Sequence, residues 1–210
     1  MSHKFIAIEG NIGAGKSSLA SMLAKDFDAN LILEQFNDNP FLPKFYANPG
    51  QYAFSLELSF LAERYHQLKQ FFPLQELFRT YTVSDYYIYK SLIFAKANLD
   101  QDEYKLYYQL FNIMHEKLPK PDLLVYLHLD LPNLKKNIKK RGRIYEQNIE
   151  DSYLIKIQET YMGFLKVQKD FPVLIIDTNN IDFIKEKKDF HTIKEKMDCL
   201  YPAGITRIVI

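Results

Sequence analysis

Gly10-Asn11-Ile12-Gly13-Ala14-Gly15-Lys16-Ser17 fits the pattern G-x-x-x-x-G-K-[ST] of a phosphate-binding loop. Its surroundings fit as well. Phe5-Ile6-Ala7-Ile8 before it predicts a buried strand, and Ser18 to Lys25 after it, with Leu19, Met22 and Leu23 apolar, predicts an amphipathic helix. Strand, glycine loop and helix in that order give the motif its mechanism. Glycines let the backbone wrap a phosphate where a Cβ would clash. Successive N–H groups at a helix N-terminus form an anion nest. Gly10, Asn11, Ile12, Gly13, Ala14, Gly15, Lys16, Ser17 and Ser18 are therefore the expected nucleotide cradle. Lys16 reaches the β- and γ-phosphates, and the Ser17 hydroxyl suits Mg²⁺. The motif predicts nucleoside triphosphate binding and leaves open what becomes of the γ-phosphate.

The chain has 210 residues, a length that suits one domain, 1–210, with a mobile lid. Hydrophobic residues at 47% and charged residues at 25% match a globular protein with a sizeable core. With 27 basic against 26 acidic residues the net charge is +1, which argues against broad binding to nucleic acid or to a membrane surface. The single Cys199 rules out an internal disulfide or a multi-cysteine metal site, and is expected as a reduced, partly buried thiol. No apolar run reaches the ~18 residues a spanning helix needs. The N-terminal residues enter a strand without a secretory signal, so a cytoplasmic enzyme is expected.

Five short apolar runs read as strands: Phe5–Ile8, Leu31–Leu33, Tyr81–Ser84, Leu123–Leu129 and Val173–Ile176. Helical patterns separate them, which predicts an α/β fold of three layers, a five-stranded parallel sheet with helices on both faces. Ligands of such sheets sit at the carboxyl ends of the strands. That rule singles out Glu34, Asp85, and Asp177 with Asn179 and Asn180. Glu34 is placed either to act as a carboxylate base toward a hydroxyl or to be a surface residue of a loop. Asp85 suits Mg²⁺ or its waters, or equally the cap of a helix starting near Tyr86. Gln51 to Phe71 is the longest helical pattern, with Glu57 and Arg64 two turns apart on one flank, about 10 Å of rise. They either bracket a flat polar ligand or are solvated flank residues. A second stripe, Tyr104, Tyr107, Tyr108, Leu110 and Phe111, reads as core or dimer interface.

Lys135, Lys136, Lys139, Lys140, Arg141 and Arg143 form a local basic cluster in an otherwise neutral chain. Arg141-Gly142-Arg143 ends a helical pattern and precedes a polar stretch, which suits either a solvated face or, beside a phosphate loop, an arginine lid at about 140–150 closing over phosphates. Lys185 to Lys188 lacks such a context and reads as a solvated face.

Over residues ~4 to ~195 the chain resembles the deoxynucleoside kinase family, and within it the bacterial deoxyguanosine and deoxyadenosine kinases. The phosphate loop with Ala7-Ile8-Glu9, Leu33-Glu34-Gln35, Asn39-Pro40-Phe41, Phe45-Tyr46, Phe54-Ser55-Leu56-Glu57, Ser84-Asp85-Tyr86, Ile93-Phe94-Ala95 and Lys140-Arg141-Gly142-Arg143 carry the resemblance. It implies roles. Glu34 matches the base that takes the proton of the sugar 5′-hydroxyl. Tyr46 and Glu146 match the pair on the 3′-hydroxyl, Phe94 an aromatic stacked on the base, and Arg64 an arginine of the base pocket. Arg141 and Arg143 match the lid arginines, and Asp85 the acidic residue of an Asp/Glu-Arg-Ser signature. Asp177 falls where the adenine of ATP is held. The resemblance further implies ATP and Mg²⁺, a homodimer, and catalysis by Glu34, Lys16, Asp85 and the two arginines. The last ~12 residues look unlike the family.

Two departures stand out. Tyr86 replaces the signature arginine, and Lys90, one turn on, is the expected substitute. Glu57 replaces the base-reading glutamine. An ionised glutamate only accepts hydrogen bonds, so it pairs with guanine's two adjacent donors and meets a lone pair on adenine. Deoxyguanosine is the expected substrate, then deoxyadenosine. A nucleoside monophosphate kinase shares loop and lid, but wants an arginine near Glu34, and Gln35 to Pro43 has none. A guanine-nucleotide switch wants Asn-Lys-x-Asp, which is missing.

Overall fold

The computed structural model describes residues 3–36, 39–78, 81–116 and 118–210, the side chains of 72–78 excepted. At its centre lies β1, Phe5–Gly10, buried along its whole length. It pairs in parallel with β3, Thr82–Ser84, on one side and β4, Leu123–His128, on the other. β2, Asn30–Ile32, lies outside β3, and β5, Pro172–Asp177, outside β4. Beyond β5 runs β6, Gly204–Val209, also parallel. The strand order is β2-β3-β1-β4-β5-β6.

Among the described residues the sheet therefore has six strands where five are expected. The sixth comes from the C-terminal stretch that looks unlike the family. Gly-Ile-Thr-Arg-Ile-Val alternates in burial with the period of two that marks a strand with one covered face.

Helices on both faces follow from the sequence of β1. Phe5 and Ala7 face one layer, Ile6 and Ile8 the other. The first layer holds α3, Pro49–Phe78; α4, Lys90–Asn98; α5, Gln101–His115; and α7, Asp151–Val167. Leu61, Ile93, Phe111 and Tyr161 bring their side chains to it. The second holds α1, Lys16–Asp26; α6, Leu131–Arg141; and α8, Lys187–Met197, through Leu19, Leu134 and Ile193. A short α2, Leu42–Ala47, packs Leu42 and Phe45 on Ala53, Leu56 and Phe60 of α3 in a third apolar cluster. Tyr107 and Phe111 of the aromatic stripe are core, while Tyr108 is exposed.

Three local expectations need correcting. α4 begins at Lys90, not near Tyr86, so Asp85 caps no helix. Cys199 is exposed rather than partly buried. α3 runs seven residues past Phe71. Gly142, left-handed at φ 74°, ends α6 and leaves Arg141 in the last turn and Arg143 just beyond it. Lys185 to Lys188 is exposed, as the charge run suggests.

Candidate active site

The connections from β1 and β3 leave in opposite directions, toward β2 and β4. The crevice at their carboxyl ends is where open α/β sheets bind ligands. The phosphate loop fills one side. Gly13 and Gly15 hold φ of 86° and 92°, in the left-handed region. A Cβ on Gly13 would lie 2.9 Å from the Leu134 carbonyl oxygen, and one on Gly15 2.9 Å from the Phe183 ring. Only glycine fits either position. Lys16 Nζ donates to the carbonyls of Gly10 and Asn11, both at 2.9 Å. Burial and then the Lys90 charge lower its pKa to about 8. The Asn11 side chain is part of the loop's frame: it donates to Leu154 O at 2.8 Å and accepts from Ile12 N at 2.8 Å.

The Ser17 hydroxyl donates to Asp85 Oδ2, and Asp85 Oδ1 accepts from Glu34 N at 2.7 Å. One carboxylate thus ties the loop after β1 to the turn after β2. A hydroxyl beside a carboxylate is a donor set that suits Mg²⁺. Among the described residues no group of three or more His, Cys, Asp and Glu side chains is arranged to hold a metal. A cation here would take most of its oxygens from phosphate and water.

Glu34 lies at the centre of a buried charge cluster. Arg64 donates to its Oε1 from Nε at 2.8 Å and Nη2 at 2.6 Å, and Lys90 Nζ lies 2.5 Å from Oε2. Arg64 reaches further to Ser91 Oγ at 2.8 Å and lies over the Phe60 ring. Burial alone would raise the Glu34 pKa. The Lys90 and Arg64 charges outweigh it and hold the carboxyl well below the usual range. Beneath this cluster Glu9 is buried, accepting from Tyr87 N at 2.7 Å and the Tyr161 hydroxyl at 2.8 Å. The first bond links β1 to the turn between Asp85 and Lys90, and the second links it to α7.

Lys16, Ser17, Glu34, Tyr46, Glu57, Arg64, Asp85, Lys90, Phe94, Arg141, Arg143 and Glu146 all line one cavity. Glu57 and Arg64, at 1% and 3% exposure, are walls of it and not solvated flank residues. Glu57 Oε1 accepts from Asn98 Nδ2 at 2.7 Å, while the buried Oε2 has no partner among the described residues. Burial raises the Glu57 pKa to about 7 against the opposing charge of Arg64. Phe94 meets Tyr161 edge-on. Arg141 donates to Glu146 Oε2, and Arg143 Nη1 to Oε1 at 3.1 Å, while the Arg143 guanidinium stacks 3.7 Å over Phe36. Tyr46 stacks on Tyr145, and burial pushes its hydroxyl pKa up.

Asp177 lies apart from that cavity. It accepts from Asn179 N and Nδ2 at 3.1 and 2.8 Å and lies 3.6 Å from Arg207 Nη2. Its loop nevertheless reaches the phosphate loop through Phe183 on Gly15. Tyr86 is buried, with its hydroxyl donating to Gln67 Oε1 at 2.6 Å, so it takes no part in the cavity wall. The sequence reading missed Phe36, Phe60 and Tyr153 in the wall and Asn98 behind Glu57. Phe60 lies one turn from both Glu57 and Arg64, a spacing that was available. Asn98 and Tyr153 come from distant helices and carried no signal.

Residues 6–201 match the family model described as deoxynucleoside kinase. The chain is 39% identical over 193 residues to the deoxyguanosine kinase of Bacillus subtilis strain 168, covering 90% of this chain and 93% of that protein. It is 34% identical to the deoxyadenosine kinase of Lactobacillus acidophilus, covering 91% of this chain and 95% of that one. Among solved structures, deoxyadenosine kinase from M. mycoides with bound dATP superposes with a TM-score of 0.79 at 27% identity, covering 94% of this chain and all of that one. These matches set aside the monophosphate-kinase and switch readings. The chain belongs to the deoxynucleoside kinase family and is a phosphotransferase.

Proposed function

We propose that this kinase transfers the γ-phosphoryl group of ATP to the 5′-hydroxyl of a purine 2′-deoxynucleoside, deoxyguanosine before deoxyadenosine, as a salvage reaction of the cytoplasm. The observation that carries the base assignment is Glu57, a buried carboxylate in the cavity wall with an oxygen lacking a partner. Guanine offers N1–H and the 2-amino group side by side, which a carboxylate accepts as a pair. Adenine would bring a lone pair against it and lose ~1–3 kcal/mol. Binding of guanine also favours the ionised form of a carboxyl that burial holds near neutrality. The relatives named for deoxyguanosine and for deoxyadenosine support the purine class.

Glu34 accepts the hydrogen of the 5′-hydroxyl and orients its oxygen. Held down by two cations it is a weak base, which suits a loose transfer in which the proton moves late. Lys90 supplies the positive charge that Tyr86 cannot. Phe94 and Phe60 give the base two apolar surfaces. Tyr46 and Glu146 take the 3′-hydroxyl. The loop N–H groups and Lys16 hold the triphosphate of ATP, and Ser17 and Asp85 would hold Mg²⁺, which neutralises phosphate charge when bound. Arg141 and Arg143 belong to a lid at about 140–150 of the single domain 1–210 and neutralise charge on the transferred group. Asp177 and the loop after it flank the adenine of ATP. An apolar hollow lined by Tyr89, Leu92, Ile93, Tyr104, Tyr108 and Phe164 supports a homodimer.

The deciding experiment is a panel of four deoxynucleosides with ATP and Mg²⁺, run on the wild type and on Glu57→Gln. Deoxyguanosine should lead in the wild type, and deoxyadenosine should gain on it in Glu57→Gln by roughly ten- to hundredfold. An unchanged order in the variant overturns the base assignment.

A further inference from the structure

We propose that Asn98 sets the base preference at one remove, as a positioning residue that keeps Glu57 a hydrogen-bond acceptor. This rests on Glu57 reading the base. Asn98 is the last residue of α4, and its Nδ2 makes two contacts. One is the 2.7 Å bond to Glu57 Oε1, and the other reaches the Tyr153 hydroxyl at 3.2 Å. Residues of α3, α4 and α7 thus meet at one amide.

The chemistry of that amide is directional. Its nitrogen only donates and its oxygen only accepts. An ionised carboxylate accepts from Nδ2 more strongly than a neutral acid does, so the bond favours the ionised form, in which neither oxygen carries a proton to donate. The Tyr153 hydroxyl takes the second Nδ2 hydrogen, and an ionised Glu57 holds the amide that way round, since a flip would set Oδ1 against the carboxylate. With Oε1 held, Oε2 is left as a bare buried acceptor. That is the half of the carboxylate that guanine's second donor needs.

The other groups around Glu57 do not replace this bond. Arg64 on its own helix and Lys90 on α4 favour the charged form, and Glu34 opposes it. Tyr107 on α5 donates to the Glu57 backbone carbonyl at 3.2 Å, not to the carboxylate. Tyr153 on α7 touches it only through Asn98. Among the described residues Asn98 is the donor to the carboxylate itself.

The test compares kcat/KM for deoxyguanosine and deoxyadenosine from pH 6 to 8.5 in the wild type, Asn98→Leu, Asn98→Asp and Glu57→Gln. In Asn98→Leu the guanine-to-adenine ratio at pH 7 should fall by on the order of tenfold, the size of one hydrogen bond to a charged group, and recover toward pH 8.5. Asn98→Asp, nearly the same shape, should lower the ratio at least as much, because a second carboxyl replaces the donor; it also serves if the leucine variant does not fold. Glu57→Gln should abolish both the preference and its pH dependence. A merely structural Asn98 would slow both nucleosides equally and leave the ratio and its pH midpoint in place, which overturns the proposal. If Glu57→Gln itself leaves the ratio unchanged, the base assignment fails instead. The two failures are therefore distinct.

Discussion

Replacing Glu34 with glutamine separates two roles that its geometry combines. The wild-type carboxylate takes two bonds from Arg64 and one from Lys90, whose side chains are only 3% and 6% exposed. A glutamine amide keeps an acceptor for one cation and turns an N–H₂ toward the other. Two buried cations then share no counter-charge at that point. Breaking a buried pair in this way costs about 3–5 kcal/mol. For a chain of this size each kcal/mol moves Tm by about 2–4 °C, so Glu34→Gln should melt roughly 6–20 °C lower. Loss of a positioned base should separately lower turnover by about 10²–10⁴-fold. Both are measured on one preparation, the first by scanning calorimetry, the second by chromatographic detection of the deoxynucleoside monophosphate well below the variant's Tm. Binding of ATP by titration calorimetry should persist, since the phosphate loop is untouched. Turnover within tenfold of wild type, alongside the expected drop in Tm, would show that Glu34 is only a counter-ion. An unchanged Tm would refute the account of the buried cluster.

Tyr86→Phe removes the bond to Gln67, should cost about 1 kcal/mol in chemical denaturation, and should leave kcat/KM within about twofold; a tenfold kinetic loss would mean that Tyr86 has taken over the missing arginine's task. Lys90→Met leaves Glu34 on Arg64 alone and should lower kcat by roughly tenfold or more in the same monophosphate assay, and an unchanged kcat would remove Lys90 from the mechanism. The third concerns stability against pH. Burial raises the Glu57 pKa from 4.5 to about 7, so the folded state binds this proton more tightly than the unfolded chain does. Its contribution is present in full below about 4.5 and is lost as pH rises through 7, amounting to at most about 3 kcal/mol. Glu57→Gln should therefore gain Tm on the wild type between pH 5 and pH 8, and a difference that is flat with pH would contradict a carboxyl whose pKa burial has raised.

How much of this was legible depends on how local each signal is. The central strand, loop and first helix were readable because a single motif, flanked by apolar residues, carries them. Glu34 and Asp85 were readable from the rule that strand ends face the ligand, which needs only strand positions. The helix expected at Tyr86 failed because Asp85 is engaged with Ser17 and the Glu34 amide, leaving no cap to give. Glu57 and Arg64 showed their spacing but not their burial, since a wall and a solvated flank look alike on one helix. Asn98 was out of reach altogether: its partners are 41 and 55 residues away in sequence. The strand β6 was missed although its alternation was in plain sight, because nothing in the resemblance prepared a place for it.

That strand changes where the protein is vulnerable. β5 is paired on both sides, and the unpaired N–H and C=O row of this side of the sheet belongs to β6. Such a row is a template for adding another chain. On β6 the exposed positions Ile205 and Val209 are separated by Arg207, whose charge is 58% exposed and lies beside Asp177. A charge between two apolar residues on an outer strand acts as a gatekeeper against self-association. Neutralising Arg207 would leave the folded core intact and shift the way this protein fails, from unfolding toward edge-to-edge aggregation.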